Sequence, residues 1–164
     1  MNPLTAIFNL FKKRANEPSD GNRQWLDGYD AFQKGKTFYL KGQLRDALDC
    51  FDSAIDRGFE DGETYGLRGL CLQSSDFHLD AIDDFNKAIA SRPDDSSLYY
   101  MRSISKGATG DLHGCASDLQ EAIRFAGVDN ADNRSHNAWA NEKGYKDVTD
   151  MYKFALDRGN LDLE

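Results

Sequence analysis

Lys34, Arg68 and Arg102 are the side chains whose spacing could do chemistry, because a cation recurs at every 34th position. Such a row could hold an acidic ligand, or it could pair with carboxylates on neighbouring helices. Each cation precedes a small residue, Gly35, Gly69 or Ser103, which marks a packing side. Pairing with carboxylates such as Asp49, Asp83 and Asp118 is therefore the expectation, and truncating one buried partner would be costly. Other reactive groups form no constellation. His78, His113 and His136 are scattered, with no nucleophile or metal set beside them. Cys50, Cys71 and Cys115 are odd in number, lack metal-ligand spacing and fall inside apolar helical patterns. They read as small buried hydrophobes in a reducing compartment. No phosphate-cradling glycine loop is present. The sequence therefore predicts no catalytic residue, no metal, no cofactor and no enzymatic activity.

Charge narrows the partners. The chain has 164 residues and a formal charge of −8, which disfavours nucleic acid, since phosphate binding needs a basic stripe. Against that acidity, Lys12, Lys13 and Arg14 give the first 14 residues a charge of +3. This cluster follows its apolar stretch, the reverse of a secretory signal. No run approaches the roughly 18 apolar residues of a spanning helix. A cytoplasmic location is expected.

The elements that position these residues follow from the same period. Ala54, Ala88 and Ala122 are 34 apart, as are Ile55, Ile89 and Ile123, while Phe51 and Phe85 share a register with Leu119. A repeat of this length is one supersecondary unit that must stack on its neighbours to bury its apolar face. Apolar spacing predicts helices over Arg23–Lys41, ended by Gly42, and over Leu44–Arg57, stopped by Gly58. Asp61 is placed to cap a helix over Gly62–Ser74, and Asp76 the next, which ends near Arg92 and Pro93. Asp95 or Ser96 opens another, Gly110 and Asp111 mark a turn, and the partner helix runs to about Phe125. Asp46, Asp49, Phe51, Ala54, Ile55, Asp56, Arg57 and Gly58 reappear 101 positions later as Asp147, Asp150, Tyr152, Ala155, Leu156, Asp157, Arg158 and Gly159. Residues 129–162 thus read as a degenerate further unit, with Trp139 in the slot of Phe38 and Val148 in that of Ala47. The expected organisation is an amphipathic basic segment over 1–14, a linker over 15–22, three repeats over 23–128, and a degenerate fourth repeat with capping helices over 129–164.

Tyr65, Arg68-Gly69, Leu72, Ala81, Phe85 and Pro93 sit at the signature spacings of a tetratricopeptide repeat, which the unit Gly62–Asp95 resembles. The preceding unit matches through Gly35, Phe38, Ala47, Phe51 and Ala54, with Ala31 and Phe59 as departures. The following one matches through Tyr99, Leu119 and Ala122, with Ser103 in a glycine slot. The resemblance implies an all-α, right-handed superhelical solenoid of antiparallel helix pairs. It also implies a concave groove, lined by first helices, for a protein or peptide partner. Helical offsets place Tyr29, Phe32, Lys36 and Tyr39 in that lining, then Leu70 and Gln73, then Tyr100 and Ile104. Members of the family that hold chaperone C-termini use a Lys-Asn-Arg clamp. Phe32, Lys36, Gly66 and Leu67 do not reproduce it, so that ligand is not expected.

Two further surfaces stand out. Leu4, Ile7, Phe8 and Phe11, followed by Lys12, Lys13 and Arg14, form a short basic amphipathic segment suited to weak membrane-surface contact or to a partner. Met151 and Phe154 put large apolar residues on the side of the last helix read as outward, which points to self-association as a homo-oligomer or to docking through this end, unless a folded-back tail packs on them. The leading expectation is a non-catalytic adaptor. The alternative is a membrane-associated assembly factor, anchored at residues 1–14 and oligomerising through its last helix.

Overall fold

The computed structural model describes residues 20–126 and 131–161, so the basic segment over 1–14 lies outside the described residues. Among the described residues there are eight helices and no strand: α1 (Asp20–Leu40), α2 (Leu44–Asp56), α3 (Gly62–Ser74), α4 (His78–Ser91), α5 (Ser96–Ala108), α6 (Leu112–Ala126), α7 (Ala131–Glu142) and α8 (Val148–Leu161). Helices α1 and α2, α3 and α4, and α5 and α6 form packed hairpins, and each hairpin stacks on the next. None of the described helices is long and apolar enough to cross a membrane.

Small residues opposite rings set the hairpin geometry. Ala47, Ala54, Ala81, Ala88 and Ala122 are completely buried, as are Phe51 and Phe85. A methyl on Gly35 would lie 2.7 Å from the Phe51 ring, and one on Gly69 would lie 2.9 Å from Phe85. The helices therefore cross at a separation that only a residue without a side chain allows. The third hairpin changes both partners of this contact, with Ser103 in the glycine slot and Leu119 in the phenylalanine slot.

Local capping explains where the helices begin and end. Asp61 accepts the Thr64 N–H at 2.7 Å and Asp95 accepts that of Ser97 at 3.1 Å, which fixes the starts of α3 and α5. Asp76 does not cap α4. Phe77 stands at that position without a side-chain cap, and Asp76 adopts a left-handed φ of 64°. The reason is the turn before it. Gly42, Asp76, Gly110 and Gly144 all have positive φ, and they are 34 residues apart. After each, the N–H of Gln43, Phe77, Asp111 or Tyr145 donates to the carbonyl of Phe38, Leu72, Lys106 or Ala140 at 2.9–3.1 Å. This is a Schellman end repeated four times.

That recurrence corrects the register of α7. Ala140, fully buried, occupies the slot of Phe38, not Trp139. The missing residue falls between Gly144 and Asp147, because Val148 is buried like Ala47. Helix α8 rests chiefly on α6 and only lightly on α7. Met151 and Tyr152 consequently join Ala122, Ala126, Ala140 and Val148 in one cluster. Met151 is only 4% exposed, so it offers no surface for self-association. Its slot is that of Cys50, Asp84 and Asp118, which faces the seam rather than solvent. Phe154 remains 48% exposed, against Tyr145 at 5.6 Å and beneath Arg158.

The cation row is internal. Arg68 donates through Nε and Nη2 to both oxygens of Asp84 at 2.7 Å, and through Nη1 to Asp52 at 2.6 Å. Arg102 repeats this with Asp118 at 2.8 and 2.6 Å and with Asn86 at 2.6 Å. Asp84 and Asp118 are 2% and 3% exposed. Of the expected partners, only Asp118 takes part. Asp49 and Asp83 are exposed, about 100° around the helix from the buried seam. The first unit has no such pair: Cys50 stands where the carboxylate would be, and Lys34 lies over the Phe38 ring. The two hydrogen bonds and opposite charge of Asp84 hold the Arg68 guanidinium above its ordinary pKa, against desolvation.

Two stability outcomes follow. Asp76→Gly relieves the left-handed strain, and urea denaturation is expected to show a gain of about 0.5–1 kcal/mol, whereas Gly110→Ala loses about 1–2 kcal/mol. Arg68→Leu leaves a buried, unpaired carboxylate and is expected to cost about 3–5 kcal/mol, with much of that recovered in Arg68→Leu/Asp84→Leu. A single variant as stable as the wild type would show the pair to be idle.

Candidate functional site

The first helices of the hairpins, α1, α3 and α5, lie side by side and form one face. Lys36 Nζ meets Glu63 Oε1 at 2.6 Å, tying α1 to α3. Gln73 Nε2 donates to the Met101 carbonyl and to Ser105 Oγ, both at 2.7 Å, tying α3 to α5. These bonds link the three first helices to one another. Between α3 and α5 it sinks into a cavity of about 220 Å³, whose apolar wall is Leu67, Leu70, Leu98 and Met101. Gly66 leaves room there, since a methyl on it would meet Arg92 at 3.4 Å and Leu98 at 3.5 Å.

Polar groups edge this cavity. Arg92 binds Asp95 through Nη1 at 3.0 Å, while His136 reaches the same cavity from α7. Arg92 Nε and His136 Nδ1 are buried and carry no hydrogen bond among the described residues. The guanidinium N–H is an unused donor, and buried donors are normally satisfied.

The eight residues expected to line the groove divide. Tyr29 and Ile104 stand 40% and 42% exposed, and Leu70 lines the cavity. Lys36 is on the face but paired with Glu63. Tyr39 packs half-buried against the first core cluster, and desolvation raises its hydroxyl pKa. Gln73 is committed to α5. Phe32 is corrected outright: at 2% exposure, with Phe51 and Phe59 at 6.2 and 5.2 Å, it is core. Tyr100 is covered from the far end, stacked on Tyr152 at 4.8 Å with Trp139 at 6.5 Å. The structure adds Leu98, Met101, Arg92 and His136 to the lining. Arg92 and His136 come from a helix end and from α7, which offsets along the first helices do not reach.

No group of three or more potential metal ligands occurs among the described residues. All three cysteines are free, and burial pushes the Cys71 thiol up to about 11, so it is protonated at neutral pH.

No protein-family model matches the chain. Curated relatives from Arabidopsis thaliana are 26% identical: serine/threonine-protein kinase BSK3 over 117 residues, covering 65% of this chain and 24% of the kinase. Protein NPGR1 matches over 144 residues, covering 85% of this chain and 20% of that protein. The chain thus spans a quarter or less of the length of these two relatives. Solved structures agree on architecture. The first TPR domain of Spaghetti (RPAP3), bound to an HSP90 peptide, superposes with a TM-score of 0.65 at 15% identity, over 85% of this chain and 94% of that one. The TPR2B domain of yeast Sti1, in complex with pHsp70, gives 0.63 at 19% identity, over 84% and 98%. The Yersinia enterocolitica type III secretion chaperone SycD, in complex with a peptide of the translocator YopD, gives 0.67 at 14% identity, over 83% and 94%. With its all-helical hairpins and these superpositions, the chain folds as a tetratricopeptide-repeat solenoid.

Proposed function

We propose that the chain is a non-catalytic adaptor that holds a peptide or partner segment on the face formed by α1, α3 and α5. The observation that carries this reading is the cavity between α3 and α5. An apolar wall for a side chain stands beside the Arg92 guanidinium, which is 38% exposed and whose N–H groups not facing Asp95 suit a peptide carbonyl. The solved domains that share this fold were captured with peptides or peptide-bearing partners, which supports the same use of the surface. The Lys36–Glu63 and Gln73–Met101 links join neighbouring first helices, which limits the ordering that binding requires.

Affinity capture from the native source tests the proposal with three variants whose folding is checked by circular dichroism. Ile104→Glu puts a charge on the face, Arg92→Lys removes the planar guanidinium donors while keeping the charge beside Asp95, and Phe77→Asp alters an exposed residue outside the face. Both face variants are expected to reduce recovery of the partner at least tenfold, with Phe77→Asp unchanged. Retention by both face variants together with loss in Phe77→Asp would move the site elsewhere.

A further inference from the structure

We propose that the α1 end of this face is a pocket for a basic side chain, arginine or lysine, carried by the partner peptide. This deepens the adaptor reading and rests on it. The pocket begins with a departure from the repeat signature, since Phe59 stands where Pro93 stands one period later. Its ring is 6% exposed and forms the floor. Trp25 and Tyr29, one turn apart on α1, stack with planes within 8° and centroids 6.0 Å apart. Both meet Phe59 edge-on, at 5.3 and 5.5 Å. About half of Trp25 and two-fifths of Tyr29 stay exposed. With Gly58, Glu60 and Asp61 these rings border an open cavity of about 460 Å³.

The electrostatics select the occupant. Aromatic faces carry the negative end of a quadrupole and attract cations, Trp most strongly. Glu60 and Asp61 add two carboxylates on the rim. Asp61 spends Oδ1 on the N–H and hydroxyl of Thr64, and neither carboxylate forms an ion pair among the described residues. The C-terminal end of α2 and the N-terminal end of α3 flank the turn, so their opposite partial charges largely cancel. The carboxylates therefore set the local sign, and the −8 charge of the whole chain reinforces it. An acidic ligand is repelled, and a neutral one gains ring contact only. A guanidinium or ammonium gains ring faces and carboxylates together.

Two peptides make the test: acetyl-Gly-Leu-Arg-Leu-Gly-amide, and its twin in which uncharged, isosteric citrulline replaces the arginine. The full chain is labelled with ¹⁵N, and the Trp25 indole N–H signal is followed with Trp139 as the internal reference. The arginine peptide is expected to shift Trp25 at concentrations at least fivefold below those its twin needs. That preference should vanish in Glu60→Gln/Asp61→Asn, whose amide at the second position keeps an oxygen able to cap α3. Equal shifts from both peptides, or none from either, would overturn the proposal. So would a shift that appears only once Lys12, Lys13 and Arg14 are replaced by Gln, because the chain's own basic cluster would then be the occupant. The adaptor reading fails separately, through the capture experiment on Ile104→Glu.

Discussion

Two carboxylates almost without access to water, Asp84 and Asp118, constrain the middle of this molecule. Apolar packing tolerates a shifted ring, whereas a buried carboxylate without its cation is severely unfavourable. Each is met by an arginine one helix earlier in a two-bond geometry that fixes both position and angle. The same arginines reach back to the preceding hairpin, to Asp52 and Asn86. One side chain thus joins two helices of its own unit and one of the unit before. The groups therefore hold α3 and α5 in fixed relation, and the cavity between them inherits that geometry.

Much of this is legible in the chain because its causes are local or periodic. Asp61 caps the helix it precedes, Gly42 and Gly110 end theirs, and the alanines mark crossings at a fixed interval. The rest depends on rotation about a helix or on a partner from a loop. Asp83 and Asp84 are adjacent and chemically identical, and only a turn of about 100° decides which one is buried. Phe32 has the spacing of a surface residue, yet Phe59, from the turn after α2, covers it. Asp76 looks like a cap because Asp usually is one, but it fills a left-handed position that the other turns give to glycine. The Met151 slot looks outward because its counterparts Cys50, Asp84 and Asp118 include two charges. Those charges are buried by their arginines.

The last hairpin shows what happens when the constraint lapses. Counting by 34 from Arg102 leads to His136, and the carboxylate slot of Asp118 is filled by Met151. Among the described residues, no ion pair of the earlier kind joins α7 to α8, and α8 settles on α6 instead. Tyr152 then stacks on Tyr100, and burial pushes both hydroxyls above their ordinary pKa. Tyr152 and Trp139 thereby cover Tyr100 at this end of the face.

These differences give the face a direction. At the α7 end, aromatic residues are spent on one another, with Tyr100 in contact with both Trp139 and Tyr152. At the α1 end, Trp25 and Tyr29 are only half covered, and carboxylates border them. Between the two lies the cavity with the Arg92 donor. An extended segment in the proposed binding mode is therefore not met symmetrically: one end of the face is closed by packing and the other is open and acidic. On the proposed mode, reversing the segment would bring its basic side chain against Arg92 and its apolar side chain against Glu60 and Asp61. Polarity of this kind discriminates by what it makes unfavourable, which is how a surface assembled from near-identical units can still select one orientation.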